Sequence, residues 1–178
     1  MSKSTLLLVA FLVVPTACAQ EQDHSHHHRT ESSSYAADTA RTIKALSPDE
    51  LTGLREGRGM GLARAAELNH YPGPKHVLEL ADSLALSDAQ RAEAERLMRE
   101  VQTEARASGE RIIRGERHLD QLFEEGSATT DMVDRITSHI AEFEGELRAV
   151  HLRAHVAMRD ALTADQIATY DRLRGYTD

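Results

Sequence analysis

Leu86-Ser87-Asp88-Ala89-Gln90 and Leu162-Thr163-Ala164-Asp165-Gln166 are two copies of one short pattern: an apolar residue, a hydroxyl residue, two spacers and a glutamine. The pattern predicts a capping box, in which the Ser or Thr oxygen accepts from the backbone N–H three residues later and the Gln side chain accepts from the N–H of the capping residue. Leu162 and Ile167 also stand at the positions of a hydrophobic staple. A looser copy occurs at residues 46–51. The sequence therefore marks three helix starts, at Ser47, Ser87 and Thr163.

Between the two pentapeptides, apolar and small residues recur every three or four positions along two stretches, as in a heptad seam. The first seam comprises Ala94, Met98, Val101, Ala105, Ser108, Ile112, Gly115, Leu119 and Leu122. The second comprises Val133, Ile136, Ile140, Phe143, Leu147, Val150, Ala154, Ala157 and Ala161. Gly126 predicts the end of the first helix, and Thr129 or Thr130 predicts the cap of the second. Two matching seams joined by a short turn predict a long antiparallel helical hairpin.

The composition favours slender helical packing. The chain has 178 residues, a formal net charge of −8, no Trp and only 4% aromatic residues, which predicts an all-α fold with one domain at residues 46–174. A lone two-helix hairpin buries too little surface, so short N-terminal helices or a second copy of the chain must cover it. We expect a homodimer. The acidic balance gives no support for nucleic acid as a partner.

Residues 1–19 have the features of a secretory signal peptide, with Lys3 ahead of an apolar run at residues 6–14. Ala17-Cys18-Ala19 fits cleavage after Ala19, whereas Thr16-Ala17-Cys18 resembles a bacterial lipoprotein signal in which Cys18 is lipidated. Both processing routes stay open. Cys18 is the only cysteine, so no internal disulfide is expected. We expect the mature protein outside the cytoplasm, anchored to the membrane only if Cys18 carries a lipid.

Residues 20–45 are polar and show no hydrophobic period, which predicts a disordered tether. Within it, the tract His24-Ser25-His26-His27-His28 places four imidazoles close together. Such a tract either binds divalent transition metals loosely or is a solvated linker with incidental histidines. The sequence does not decide between these roles.

The segment between the tether and the hairpin predicts short helices. The helix that starts at Ser47 meets Gly57, Gly59 and Gly61, each of which destabilises a helix interior by about 1 kcal/mol relative to Ala, so we expect it to be kinked or broken. Residues 69–74 carry two prolines and predict a turn. A further short helix follows, with Val77, Leu78, Leu80, Ala81 and Leu84 as its apolar residues.

His151 and His155 stand one helical turn apart on the second long helix, with Met158 close beyond them. Two imidazoles on one helix face can bind one ion, and a thioether can add a soft ligand. A covering N-terminal helix would supply the remaining ligands, for which the candidates are His70, His76, Glu67 and Glu79. The expected ions are Zn²⁺, Cu²⁺, Ni²⁺ and Co²⁺. The competing interpretation is a solvated His pair, because the nearby arginines Arg148, Arg153 and Arg159 repel a cation.

Other patterns carry less weight. His118 and His139 lie on the same flank of the two seams, so folding of the hairpin brings them to similar heights, either as a rim pair or as a second metal pair. Glu67-x-x-His70 has the spacing of half a di-iron site, but the chain lacks a matching second copy. No hydrolase, metalloprotease or phosphate-loop motif appears, and we expect no enzymatic activity.

The signal peptide, the short helical N-terminal region, LSDAQ, the predicted hairpin and LTADQ together resemble the LTxxQ-motif bacterial envelope proteins. This family includes the Spy/CpxP stress chaperones and periplasmic heavy-metal sensor and resistance proteins. The resemblance covers residues 47–170 and rests on Leu86, Ser87 and Gln90 in the first copy and Leu162, Thr163 and Gln166 in the second. Ser87 replaces the usual Thr and preserves the cap.

The resemblance implies an elongated, cradle-like all-α homodimer in the periplasm that is not an enzyme. In the metal-sensor branch, His, Glu and Met ligands lie between an N-terminal helix and the last long helix, which matches the positions of His151, His155 and Met158. In the chaperone branch, a basic and apolar concave face holds unfolded envelope proteins without ATP. We therefore expect a metal-responsive protein, with an ATP-independent chaperone as the alternative. A membrane-bound sensor is a further possible partner.

Overall fold

The computed structural model describes residues 35–177, and this part of the chain is all-helical. A short 3-10 helix at Ala36–Ala40 precedes α1 (Pro48–Glu56), α2 (Arg64–Glu67), α3 (Pro74–Glu79), α4 (Asp88–Glu124), α5 (Thr130–Ala161) and α6 (Ala164–Arg174). The predicted all-α fold with two long packed helices is confirmed. The predicted signal peptide, Cys18 and the histidines of the predicted tether lie outside the described residues.

All three predicted capping boxes form. The hydroxyl oxygens of Ser47, Ser87 and Thr163 each accept from the backbone N–H three residues later. The side chains of Glu50, Gln90 and Gln166 in turn accept from the backbone N–H of the capping residue. Thr129 is the N-cap of α5, and Gly126 follows the end of α4 in a left-handed conformation (φ 67°). These local signals set the helix boundaries because each satisfies backbone groups that a helix end leaves unpaired.

The two motif glutamines also bind each other. Gln90 Nε2 donates to Gln166 Oε1 at 2.8 Å and to the carbonyl of Ala161 at 2.9 Å. Gln166 Nε2 donates to Gln90 Oε1 at 3.0 Å and to the carbonyl of Leu84 at 3.1 Å. The glutamines therefore join the start of α4 to the start of α6, in addition to capping each helix. We name this four-bond arrangement the glutamine lock.

The helices α4 and α5 run antiparallel. Glu104 of α4 pairs with Arg153 of α5, and Arg111 of α4 pairs with Glu146 of α5. The later residue on α4 thus contacts the earlier residue on α5. The predicted seams form the interface. Its buried members are Ala94, Val101, Ala105, Ser108, Ile112, Leu122, Ile136, Ile140, Leu147, Val150 and Ala154. At Met98 the first seam departs from expectation, because the neighbouring Leu97 is buried and Met98 is half-buried.

The N-terminal helices cover one side of the hairpin. The helix that starts at Ser47 breaks at Gly57, which is left-handed (φ 68°), as the glycines predicted. At its end, α1 packs directly on α4, and a Cβ at Gly109 would stand 2.2 Å from the carbonyl oxygen of Leu54. The core extends further toward the N-terminus than the predicted domain, because Ile43 is 1% exposed and belongs to the same apolar cluster as Leu54.

A second apolar cluster forms at the other end of the hairpin. It joins α3, the start of α4, the end of α5 and α6 through Val77, Leu84, Ala94, Leu97, Met158, Leu162 and Tyr170. This cluster fixes the chain segment that leads from the N-terminal helices into α4. It thereby holds residues 57–76 against the C-terminal part of α5, where His151 and His155 lie.

Candidate functional site

A cavity of about 880 Å³ opens between residues 56–76, α4 and α5. Its walls bring together polar side chains that are distant in sequence. Among the lining residues are Glu67 and His76 from the N-terminal helices, Met98 from α4, His151 and His155 from α5, and Tyr176 from the C-terminal segment. This cavity is where the structure gathers the candidate metal ligands.

His151 is buried with an unsatisfied ring nitrogen. The residue is 8% exposed, and its Nε2 has no hydrogen-bond partner in the described part of the chain. Its other ring nitrogen, Nδ1, faces Gly59, where an added Cβ would lie 3.6 Å away. Burial, and to a smaller extent the charge of His155, lower the pKa of His151 from its ordinary value of 6.5. The ring is therefore neutral at pH 7, with a lone pair available for a ligand.

His155 is oriented by the backbone. Its Nδ1 lies 2.7 Å from the carbonyl oxygen of Tyr71. A carbonyl only accepts, so Nδ1 carries a proton, and in the neutral ring Nε2 is the nitrogen with the lone pair. Nε2 faces Gly73, and a Cβ there would stand 2.8 Å from it. A backbone carbonyl on one imidazole nitrogen is a frequent way to orient a metal-binding His.

Glu67 is the last residue of α2, and only one of its two carboxylate oxygens accepts hydrogen bonds from the described residues. Its Oε1 accepts from the hydroxyls of Tyr170 and Tyr176 and lies 3.5 Å from Arg174 Nε. Its Oε2 is buried 3.6 Å from His155 Nδ1 and accepts no hydrogen bond from residues 35–177. Burial and the hydrogen bond to Glu67 raise the pKa of Tyr170 far above its ordinary value. The two tyrosines thus remain protonated donors that fix the carboxylate.

Several predicted ligands have other surroundings. His70 is half-exposed and pairs with buried Asp171 at 2.8 Å. His76 reaches the cavity wall but pairs with Glu79 on its own helix at 2.8 Å, and this bond lowers the pKa of the Glu79 carboxyl. Met158 is fully buried in the second apolar cluster and does not line the cavity. Glu67 is therefore the acidic side chain nearest to the predicted His pair.

Basic and exposed apolar side chains also line the cavity, together with the acidic side chain of Glu56. Arg58, Arg64, Lys75 and Arg106 line it, as do the exposed side chains of Met60 (43% exposed) and Leu68 (55% exposed). Met60 stands in a left-handed conformation (φ 43°) within the glycine-rich connection between α1 and α2. Two of the three arginines that were expected to repel a metal ion have partners. Arg153 pairs with Glu104, and Arg159 stacks over the ring of Tyr71.

Within residues 35–177, no three His, Cys, Asp or Glu side chains come close enough together to hold a metal ion. Glu67, His151 and His155 share one cavity, but their free atoms do not converge on a single point. No helix in this part of the chain is long and apolar enough to span a membrane. In comparisons with protein-family models, curated proteins and solved structures, nothing matches the chain.

Proposed function

We propose that the chain binds a divalent transition metal ion through Glu67, His151 and His155. The observation that carries this proposal is that His151 and Glu67, which line one cavity, each have a buried atom without a hydrogen-bond partner in the described part of the chain, His151 Nε2 and Glu67 Oε2. A buried polar atom without a partner destabilises a fold by about 1–3 kcal/mol. A bound ion removes this destabilisation, because neutral imidazole and carboxylate are ordinary ligands of Zn²⁺, Cu²⁺, Ni²⁺ and Co²⁺.

The surroundings of the three donors suit this role. The proton of His155 is held on Nδ1 by the Tyr71 carbonyl, and Glu67 Oε1 is held by two tyrosine hydroxyls. Such partners orient the ligands of a metal, and the carbonyl that accepts from Nδ1–H also raises the basicity of the His155 ring. Binding requires rotation of at least one imidazole, and water completes the coordination. His76 lines the same cavity and is a fourth ligand if it leaves Glu79.

The predicted signal peptide and the resemblance to LTxxQ-motif proteins support the location and class. On this proposal the chain is a metal-responsive protein of the periplasm, without enzymatic activity and homodimeric. The resemblance places ligands between an N-terminal helix and the last long helix. Glu67 on α2 and the His pair on α5 have this arrangement. Met158 belongs to the core, so the proposal assigns no thioether from α5 to the ion.

Calorimetric titration of the mature protein with Zn²⁺ tests the proposal. Replacement of His24, His26, His27 and His28 by Asn removes the competing tract. In that background we expect a dissociation constant below about 10 μM (about −7 kcal/mol). His155→Asn and Glu67→Gln should each weaken binding by about tenfold or more, while His118→Asn, outside the cavity, should not. Binding that is absent, or equally tight in all variants, would contradict the proposal.

A second function, ATP-independent binding of unfolded envelope proteins, is favoured by the basic and apolar side chains that line the cavity. Exposed Met60 and Leu68 beside Arg58, Arg64 and Arg106 form a basic and apolar surface. A flexible thioether adapts to varied apolar partners. This function predicts suppression of the aggregation of a reduced client at equal molar ratio, unchanged by a chelator and reduced by Leu68→Ser. Full aggregation at several-fold excess of the chain would exclude it.

A further inference from the structure

A second recess, of about 370 Å³, lies between α4 and α5 and is separate from the proposed metal site. It has no lining residue in common with the larger cavity. Arg111, Arg114 and His118 of α4 and His139 of α5 form its polar part, and Gly115, Ile136, Ile140 and Phe143 form its apolar part. His118 and His139 thus both line a recess that also holds two guanidinium groups.

The guanidinium of Arg111 is already positioned. Its Nη1 donates to Glu146 Oε2 at 3.1 Å, and its Cζ stands 5.3 Å from the centre of the Phe143 ring. Stacking on an aromatic face limits the freedom of the side chain and leaves donors of the planar fork available. Within residues 35–177, Arg114, His118 and His139 have neither a hydrogen bond nor an ion pair through their side chains.

The sign of the charge decides which ligand the recess accepts. Both guanidiniums stay charged at any physiological pH. Among the residues that the structure describes, Glu146 is the single carboxylate that contacts them. A metal ion held by His118 and His139 would be repelled by Arg111 and Arg114. The chain as a whole is acidic, with a formal net charge of −8. The charged side chains that line this recess are positive instead. The recess is therefore suited to an anion.

We propose that this recess binds a phosphate group. Two guanidinium forks match pairs of phosphate oxygens, and the two imidazoles add N–H donors at the same recess. The adjacent ring of Phe143 and the side chains of Ile136 and Ile140 suit an apolar group attached to the phosphate. A phosphate monoester in solution and a phospholipid headgroup share this chemistry.

Titration of the full chain with inorganic phosphate and with phenyl phosphate, followed by ¹H–¹⁵N NMR at low salt, tests the assignment. We expect saturable shifts around residues 111–118 and 136–143, with phenyl phosphate bound more tightly. Arg114→Gln removes a side chain without a protein partner, so the fold should persist. It should weaken binding by about tenfold, the equivalent of about 1.4 kcal/mol. Arg148→Gln, an exposed arginine outside the recess, is the matched control.

Vesicle flotation separates the two sources of phosphate. Capture by phosphatidylglycerol vesicles but not by phosphatidylcholine vesicles, lost in Arg114→Gln and kept in Arg148→Gln, would support the headgroup as ligand. Saturable binding of the soluble phosphates without vesicle capture would support a soluble monoester. Absence of binding in both experiments, or equal weakening by the two substitutions, would overturn the proposal, since equal weakening indicates general electrostatic attraction.

Discussion

At the residue scale, two glycines inside the long helices have opposite surroundings. A Cβ at Gly109 would stand 2.2 Å from the Leu54 carbonyl oxygen, whereas a Cβ at Gly145 meets no atom within 4 Å. We expect Gly109→Ala to destabilise the fold by about 1–3 kcal/mol, because α1 must move away from α4. Gly145→Ala should stabilise it by about 0.5–1 kcal/mol through helix propensity. Urea unfolding measures both, and equal effects would contradict the close packing of α1.

The buried imidazole of His151, a proposed metal ligand, should lower the stability of the metal-free protein. His151→Leu replaces a buried ring nitrogen without a partner by an apolar side chain, so we expect the variant to be more stable at pH 7 by about 1 kcal/mol. The folded pKa of His151 lies below 6.5 because of burial. As the pH falls below 6.5, His151 is protonated in the unfolded chain before it is protonated in the folded chain. The wild-type protein therefore loses stability as the pH falls.

The measurement is urea unfolding of both proteins at several pH values between about 7.5 and 5. The stability advantage of His151→Leu should widen toward the acidic end, because Leu does not titrate. A constant difference across this range would show that His151 is not protected from protonation by burial. A less stable variant at every pH would show that the imidazole contributes packing that Leu cannot replace.

The sequence indicated the histidines of the candidate site but did not single out its carboxylate. His151 and His155 follow from helical spacing, which places both on one face of α5. Glu67, His70, His76 and Glu79 were equivalent candidates, because the choice depends on the path of residues 57–76. That path is set by left-handed residues and by the tyrosine contacts of Glu67, which have no local sequence signal.

At the element scale, the glutamine lock joins the starts of α4 and α6. Loss of either glutamine removes a cap bond and leaves the Leu84 or Ala161 carbonyl without its side-chain donor. We expect Gln90→Ala and Gln166→Ala each to destabilise the fold by about 1–3 kcal/mol. The double variant should lose less than the sum of the two, with a coupling free energy of at least about 0.5 kcal/mol.

Urea unfolding of the four proteins of this cycle gives the coupling. Gln121→Ala, an exposed glutamine on α4, controls for loss of a glutamine from a helix and should change stability by less than about 0.5 kcal/mol. Strict additivity of Gln90→Ala and Gln166→Ala would show that the two glutamines act only as separate caps. The repeated pentapeptide would then have no role beyond starting two helices.

The helices and their main interface were readable from sequence because both depend on local or strictly periodic signals. Capping boxes report helix starts, and a heptad seam reports the face that a partner helix covers. Leu97, Gly109 and Ile113 are buried although they lie outside the predicted first seam. They are not part of one continuous stripe, so a heptad pattern does not reveal them. Their burial depends on the fold of the whole domain.

At the scale of the whole molecule, the candidate site connects parts of the chain that are distant in sequence. Glu67 ends α2, the His pair lies on α5, and Tyr170 and Tyr176 reach Glu67 from α6 and the segment after it. Tyr170 also belongs to the second apolar cluster, which contains the start of α4. An ion held by Glu67 and His155 would therefore stabilise the global fold and not a single loop.

This arrangement predicts that metal raises the stability of the whole domain. A ligand that binds only the folded state at 100 times its dissociation constant adds about 2.7 kcal/mol. We expect Zn²⁺ to raise the thermal midpoint of the variant in which His24, His26, His27 and His28 are replaced by Asn, with one cooperative transition. Tyr170→Phe should reduce the increase, because Glu67 loses a donor that fixes it. An unchanged midpoint, or an increase that persists in Glu67→Gln, would place any bound metal away from this cavity.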